Sequence, residues 1–249
     1  SGTVNGSPIV GNNQGGGGTG GVNLLDYIPT HGNDTYTLEH AINAGSTKAY
    51  TTVAILDGDE QNVSPIAPVF DLYRNSDNSF ESIFGYVSTS ASGFEGIGRR
   101  VLIDVDQQGQ LFDAQIIYDA SAIVFPDNLD ANNPVFTAQV TGSVYKMFVG
   151  DPNTVIDTAS EIINVEYVGT TSVDTPAGYF DNCISLHITR EISFTASPTS
   201  YFYDDYYAFA YGVGLVAQNS STDFSTGFLL TSAMVDGVVY DNTGGGGGT

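Results

Sequence analysis

The acidic segment from Asp104 to Gly109 is the part of the chain whose residue types and spacing come closest to a known chemistry. Its sequence, Asp-Val-Asp-Gln-Gln-Gly, has the D-x-D-x-x-G order that opens a calcium-binding loop. The twelfth position from Asp104 is Gln115, so the bidentate glutamate that closes an EF-hand is missing. We therefore expect a β-hairpin turn here, with Asp104 and Asp106 as weak calcium candidates and no other cofactor.

The remaining reactive side chains form no catalytic or metal-binding pattern along the sequence. His31, His40 and His187 lack a metal-ligand spacing such as i, i+2 or i, i+4. There is no G-x-S-x-G elbow, P-loop or H-E-x-x-H motif. The sequence therefore predicts a protein that is not an enzyme.

The charge balance excludes one class of partner. Six basic residues stand against 28 acidic ones, which gives a formal net charge of −22. A field of this sign repels phosphate backbones, so nucleic-acid binding is excluded. It also favours saline or calcium-containing surroundings, which supply the counter-charge.

The cysteine and hydropathy patterns limit crosslinks and membrane insertion. Cys183 is the only cysteine, so no intramolecular disulfide can form, and its strand-like context predicts a buried, inert thiol. No run of 18 apolar residues occurs, so we expect no membrane span. The chain opens at Ser1 without a charged or apolar leader, which predicts a secreted, processed protein and leaves open a lipid anchor upstream of Ser1.

The elements that must position these residues are strands. Apolar and polar residues alternate with period two, and glycine or Asp/Asn turns separate the runs. About ten strands at this spacing predict an all-β protein, either an antiparallel sandwich or a curved half-barrel, in a single domain over residues 24–242. The predicted strands are residues 35–42, 49–56, 69–73, 80–89, 99–105, 111–118, 137–149, 161–168, 183–194, 206–218 and 228–240.

The aromatic tract at residues 201–211 contains seven rings and has two interpretations. As a strand it places Tyr207, Phe209 and Tyr211 on one face and mostly small residues on the other. The rings could form a platform on which a flat ligand stacks, or they could belong to the core. The usual location of such bulk favours the core.

Glycine-rich arms flank the domain, at residues 1–23 and 243–249. Polyglycine loses the most backbone entropy on ordering, so such arms become ordered only when something holds them. Neighbouring copies in an assembly would do so. Within the first arm, Thr3, Val4, Ile9 and Val10 have the β-branched character of a short donor strand.

Two motifs in the second half of the chain carry a family resemblance. Pro176-Ala-Gly178-Tyr-Phe180-Asp-Asn-Cys183 is followed by Tyr211-Gly212-Val-Gly214-Leu-Val216. Residues 161–240 thereby resemble uncharacterised bacterial secreted lipoproteins, which carry a P-A-G-x-F-x-x-C hairpin before a Y-x-x-G-V-G-L-V strand. The resemblance implies a β-rich, half-barrel envelope protein, in a family where some members hold lipids. This chain differs in having no Trp.

Two functions follow as hypotheses. The first is a non-catalytic extracellular structural protein whose copies assemble into a filament or surface lattice by strand addition through the arms. The alternative is a monomeric envelope lipoprotein that binds a lipid or other apolar ligand in its curved sheet, in a cavity lined by residues 206–216. Both place the protein outside the cell or at its surface.

Overall fold

The computed structural model describes residues 22–28, 33–55, 69–76, 79–103, 112–146, 154–198 and 200–241. These residues form sixteen strands and two short 3-10 helices, η1 (Leu24–Asp26) and η2 (Phe224–Thr226). The strands, in chain order, are β1 (Val22–Asn23), β2 (Thr35–His40), β3 (Thr47–Ile55), β4 (Val69–Ser76), β5 (Ser79–Ser82), β6 (Tyr86–Ser90), β7 (Gly93–Ile103), β8 (Phe112–Pro126), β9 (Asn128–Leu129), β10 (Val135–Lys146), β11 (Val155–Thr175), β12 (Gly178–Phe194), β13 (Ser200–Ala210), β14 (Gly214–Asn219), β15 (Phe228–Val235) and β16 (Val238–Asp241).

One large antiparallel sheet dominates the described part of the chain. Fourteen strands belong to it, in the order β14-β13-β12-β11-β10-β8-β7-β6-β4-β3-β2-β15-β16, with β5 beside β4. The prediction of an all-β, antiparallel fold is therefore confirmed. Among the described strands, β1 and β9 form a second sheet, and the Leu24 amide of η1 donates to the Asp127 carbonyl beside it at 2.8 Å.

The two ends of the large sheet meet at β15. The first residues of β15 pair with β14 through Gln218–Phe228 and Ala217–Leu229, and residues 232–235 pair with β16 instead. The other edge of β15 pairs with β2 over most of its length. The sheet thus curves back on itself but joins its ends through only two residue pairs. Beyond those pairs β14 and β16 separate, and we call this gap the seam.

Bulges and glycines explain how so many strands bend into one curved sheet. Register shifts interrupt the β7–β8 pairing between Gly96 and Gly98 and the β11–β12 pairing between Tyr167 and Gly169. An extra residue on one strand bends it and increases its twist. Side chains fill the inner face of the resulting curve, and the Phe84 ring contacts the rings of Phe94, Phe125 and Phe209 there.

Two of the predicted strands are hairpins instead. Residues 206–218 divide into β13 and β14 because Gly212 and Gly214 have φ of +65° and +99° and reverse the chain. Residues 228–240 divide into β15 and β16 at Asp236-Gly237, where φ is +47° and +74°. Asp-Gly between apolar residues favours the tight turn whose twist matches a hairpin, and this signal was present in the sequence.

Two of the sites predicted from the sequence lie outside the described residues. The arm residues Thr3, Val4, Ile9 and Val10 and the calcium candidates Asp104 and Asp106 belong to this group. The strands on either side of the latter do form the expected hairpin, since Ile103 pairs with Phe112. Within the described ranges, no helix has the length and apolar character needed to cross a membrane.

Candidate functional site

A pocket of about 260 Å³ lies at the seam, where three elements meet without pairing. Residues 25–28, in and after η1, form one wall. Residues 212–214, at the end of the turn between β13 and β14 and the start of β14, form the second. The β15–β16 hairpin forms the third through Val235, Asp236, Val238 and Tyr240. We call it the seam pocket.

Hydrogen bonds between distant parts of the chain fix the walls of the seam pocket. The Gly212 amide donates to the Asp26 carbonyl at 3.1 Å, which joins the β13–β14 turn to η1. The buried Tyr36 hydroxyl on β2 donates to the Val213 carbonyl at 2.9 Å. Both bonds end on the backbone of the turn, so the turn keeps its place although β14 does not pair with β16.

The lining of the seam pocket combines an apolar surface with two carboxylates. Val213 and Val235 are buried at its base, whereas Val238 keeps 53% of its surface exposed. Asp26 and Asp236 are exposed and belong to different walls. No Lys, Arg or His is among the described residues that line it. The chemistry of the lining therefore suits an apolar group, with negative charge beside it.

Two tyrosines in the lining remain neutral phenols. Burial raises the pKa of Tyr27, and the nearby groups Tyr167, Cys183 and Asp26 raise it further. Burial also raises the pKa of Tyr240. The Tyr27 ring packs edge-on against Tyr211, with centroids 5.6 Å apart and planes at 87°. Tyr27 and Tyr240 thus add uncharged aromatic surface to the pocket.

The structure places the six motif residues at two different sites. Gly212 and Gly214 line the seam pocket. Pro176 belongs to the two-residue turn between β11 and β12, where Thr175 pairs with Gly178. Phe180 and Cys183 follow on β12 and are buried, and the Cys183 thiol donates to the Phe180 carbonyl at 3.5 Å. Burial raises the pKa of Cys183 to about 12, which keeps the thiol protonated.

Part of the aromatic tract belongs to the hydrophobic core of the described residues. Tyr207 and Phe209 are buried, and Phe209 lies 6.0 Å from Phe84, centroid to centroid. Their assignment to the core is confirmed. Of residues 206–216, Gly212, Val213 and Gly214 line the seam pocket. Tyr211 is partly exposed because it lies in the turn between β13 and β14, beyond the last residue of β13.

A buried ionic cluster crosses the interior, and nothing in the sequence pattern singled it out. Glu161 on β11 accepts hydrogen bonds from Arg99 on β7 at 2.7 Å and from Arg190 on β12 at 2.9 Å. Its second oxygen accepts from the Tyr118 hydroxyl on β8 at 2.7 Å. Arg99 and Arg190 are 2% exposed and Glu161 is 1% exposed. This cluster joins four strands, and its burial denies a solvent-borne ligand access to it.

His187 forms a second polar group that sequence spacing could not show. Its Nδ1 lies 3.2 Å from Glu166 Oε2 and its Nε2 lies 2.7 Å from Asp204 Oδ1. The ring stacks on Tyr206 with centroids 4.2 Å apart. Both ring nitrogens are engaged by carboxylates, so neither is available as a general base. The partners come from neighbouring strands, and only the register brings them together.

The described residues contain no group of three or more His, Cys, Asp or Glu side chains that could hold a metal ion. The one metal hypothesis from the sequence, calcium at Asp104 and Asp106, falls outside these residues. The seam pocket combines access from solvent with a lining suited to a ligand.

Comparison with known proteins identifies the class to which this fold belongs. Residues 97–223, 127 of the 249 and so just over half of the chain, match the DUF3108-like family, and the chain belongs to that family. The match runs from β7 to the residue before η2. It includes the ionic cluster and the β13–β14 turn of the seam pocket.

Two solved structures are similar to this chain over most of its length, at low sequence identity. One is a candidate lipoprotein from Parabacteroides distasonis, 14% identical, with a TM-score of 0.41 over 87% of this chain and 98% of that one. The other is a candidate exported protein with a YmcC-like fold from Bacteroides fragilis, 13% identical, with a TM-score of 0.27 over 82% of this chain and 96% of that one. No curated protein matches the chain.

Proposed function

We propose that this protein is a non-catalytic envelope protein that holds the apolar part of a small ligand in the seam pocket. The observation that carries the proposal is the pocket itself, formed where the curved sheet does not close. Burying Val238, now half exposed, against a ligand would contribute about 1 kcal/mol through the hydrophobic effect. The resemblance of residues 161–240 to secreted lipoproteins supports the location at the cell surface or outside the cell.

The size of the seam pocket limits what it can enclose. Pockets that bury a drug-sized ligand have volumes of about 300–1,000 Å³. At about 260 Å³ the seam pocket falls just below this range. It therefore accommodates a small molecule, or one end of a longer one, but not a whole membrane lipid. The rest of a longer ligand would extend into solvent.

Native mass spectrometry of protein purified from its own envelope tests this function. We expect a monomer that carries a small adduct, and we expect Val238→Trp, which fills the pocket, to lose it. Val239→Trp is the matched control, because Val239 is adjacent and similarly exposed but is not among the residues that line the pocket. Bare wild-type monomer that also fails to bind added 1-hexanol would refute the proposal.

Self-assembly by strand addition is the second candidate function. Among the described strands, β16 pairs only with β15, so its other edge is unpaired, and Val238 and Val239 are 53% and 60% exposed. An arm strand from another copy could add there through main-chain hydrogen bonds. The edge is four residues long, which is short for strand addition, and the net charge of −22 opposes association. Ligand binding in the seam pocket is therefore the first candidate function and self-assembly the second.

Deletion of residues 1–20 tests the second candidate. Strand addition through the arm predicts polymers or oligomers of the full chain in negative-stain images and light scattering, and monomers after the deletion. Polymers that persist without the arm would exclude the arm as donor. Monomers in both preparations would remove self-assembly as a function.

A further inference from the structure

We propose that the ligand of the seam pocket is a small organic cation with an apolar body, of the alkylammonium class. This inference rests on the proposed function and adds the charge and chemical class of the ligand. It starts from a cavity with an apolar base and from the identity of the charged groups around that cavity.

Two acidic residues from different elements line the seam pocket. Asp26 belongs to η1, and Asp236 belongs to the turn between β15 and β16. The buried Asp34 stands behind Asp236, since its Oδ1 accepts the Asp236 amide at 2.9 Å. These three residues come from separate parts of the chain. The fold therefore places two exposed carboxylates, Asp26 and Asp236, at the pocket, and no basic residue is among the described residues that line it.

The tyrosines of the lining favour the same class of ligand. Tyr27 and Tyr240 are neutral, and the face of a phenol ring attracts a cation through its quadrupole. A carboxylate or phosphate ligand would meet neither a positive charge nor a basic donor among the described lining residues. The net charge of −22 also draws cations to the protein and slows the approach of anions.

An inorganic cation fits the seam pocket less well than an organic one. Metal ions such as calcium require six to eight oxygen ligands in one shell. The described carboxylates do not come together as a metal-binding group. An alkylammonium needs no such shell, because its charge is diffuse and its alkyl chain gains from the valines at the base. The volume of about 260 Å³ suits a head group with a short chain.

Isothermal titration calorimetry with three probes of equal chain length tests the inference. The probes are hexyltrimethylammonium, 1-hexanol and hexanoate. We expect hexyltrimethylammonium to bind about tenfold more tightly than 1-hexanol, because two exposed charge contacts contribute about that factor. Hexanoate should bind least tightly. Calcium chloride should not displace hexyltrimethylammonium when it is compared with sodium chloride at equal ionic strength.

The variant Asp26→Asn/Asp236→Asn removes both lining charges while keeping the shape of the side chains. Asparagine tolerates the positive φ of residue 236 at least as well as aspartate does. We expect the alkylammonium affinity to fall about tenfold, to the level of 1-hexanol. The control Asp119→Asn/Glu191→Gln removes two exposed carboxylates on β8 and β12, outside the pocket, and should change the affinity by less than about twofold.

The outcomes separate this inference from the proposed function. If 1-hexanol binds the wild type and not Val238→Trp, the apolar pocket is functional. Equal affinity for all three probes, tighter binding of hexanoate, or no effect of the double variant would then overturn the cationic ligand alone. Failure of every probe to bind would overturn both. Competition by calcium would assign the carboxylates to a metal instead.

Discussion

Glu161 lies inside the curved sheet and accepts hydrogen bonds from Arg99, Arg190 and Tyr118, each on a different strand. Two guanidinium groups share this one carboxylate, so its charge offsets the cost of burying them. Burial, followed by the charge of Glu161, raises the pKa of Tyr118 well above its usual value, so the phenol remains a donor. Arg190 also donates to the Ile83 carbonyl and faces the Phe125 ring.

We predict that Glu161→Gln destabilises the fold by about 3–5 kcal/mol, because it removes the charge of the carboxylate that two buried guanidinium groups share. Tyr118→Phe should cost less, about 1–2 kcal/mol, since it removes one donor and no charge. Urea unfolding followed by circular dichroism measures both values. Equal losses in the two variants would mean that the charge of Glu161 does not matter to stability.

His187 gives the stability a dependence on pH. Burial lowers its pKa, but the hydrogen bonds and charges of Asp204 and Glu166 outweigh this effect, and the net pKa is raised. A raised pKa in the folded state means that the imidazolium stabilises the fold fully below its unfolded pKa of about 6.5. That contribution is lost as the pH rises through the folded pKa.

We therefore predict that the wild type loses more stability than His187→Gln between pH 6 and pH 8.5, as measured by urea midpoints at constant ionic strength. His40→Gln is the control, since the His40 ring accepts the Ile42 and Asn43 amides through Nδ1 and contacts no carboxylate in the described hydrogen bonds. Parallel pH profiles for the wild type and His187→Gln would show that this group does not titrate in the window.

At the scale of the elements, close approach of strands explains why particular glycines are required. Gly142 on β10 lies opposite Tyr118 on β8. A Cβ atom there would overlap the Ile117 carbonyl oxygen and lie 2.8 Å from Ile116 Cγ2. The backbone of β8 cannot withdraw, because it is paired with β7 on its other side.

We predict that Gly142→Ala costs about 2–3 kcal/mol, because the added methyl group overpacks a paired backbone. Gln139 on the same strand is exposed, so Gln139→Ala should change stability by less than about 0.5 kcal/mol. Hydrogen exchange should show that the loss is concentrated in the β8 and β10 amides. Unaltered protection of those amides would contradict the packing argument.

The element scale also shows what the sequence could predict and what it could not. Alternation of apolar residues is local, and so it predicted the strands and the all-β class. The Asp236-Gly237 turn was equally readable, because Asp-Gly between apolar residues is a hairpin signal. The seam pocket was not, since it depends on where β14 stops pairing with β15. The same holds for the contact of Glu161 with Arg99, 62 positions away, which only the strand order creates.

At the scale of the whole molecule, the net charge of −22 destabilises the compact state through self-repulsion. Few basic residues are present to offset it, and Arg99 and Arg190 are buried against Glu161. Salt shortens the range of the repulsion, from about 30 Å at 0.01 M to less than 8 Å above 0.15 M. Screening should therefore lower the free energy of the folded state more than that of the expanded unfolded state, because the charges of the unfolded state are already farther apart.

We predict that the unfolding temperature rises by about 4 °C or more between 0.01 M and 0.5 M sodium chloride, a gain of about 1–2 kcal/mol for a domain of this size. Differential scanning calorimetry measures it, and sucrose at equal osmolality separates the effect from general exclusion of solutes. The same screening should weaken the binding of hexyltrimethylammonium while leaving that of 1-hexanol unchanged, because only the charged probe is attracted by the carboxylates. Stability and alkylammonium affinity must therefore change in opposite directions along one salt titration. If both rise together, the electrostatic origin assigned to them is wrong.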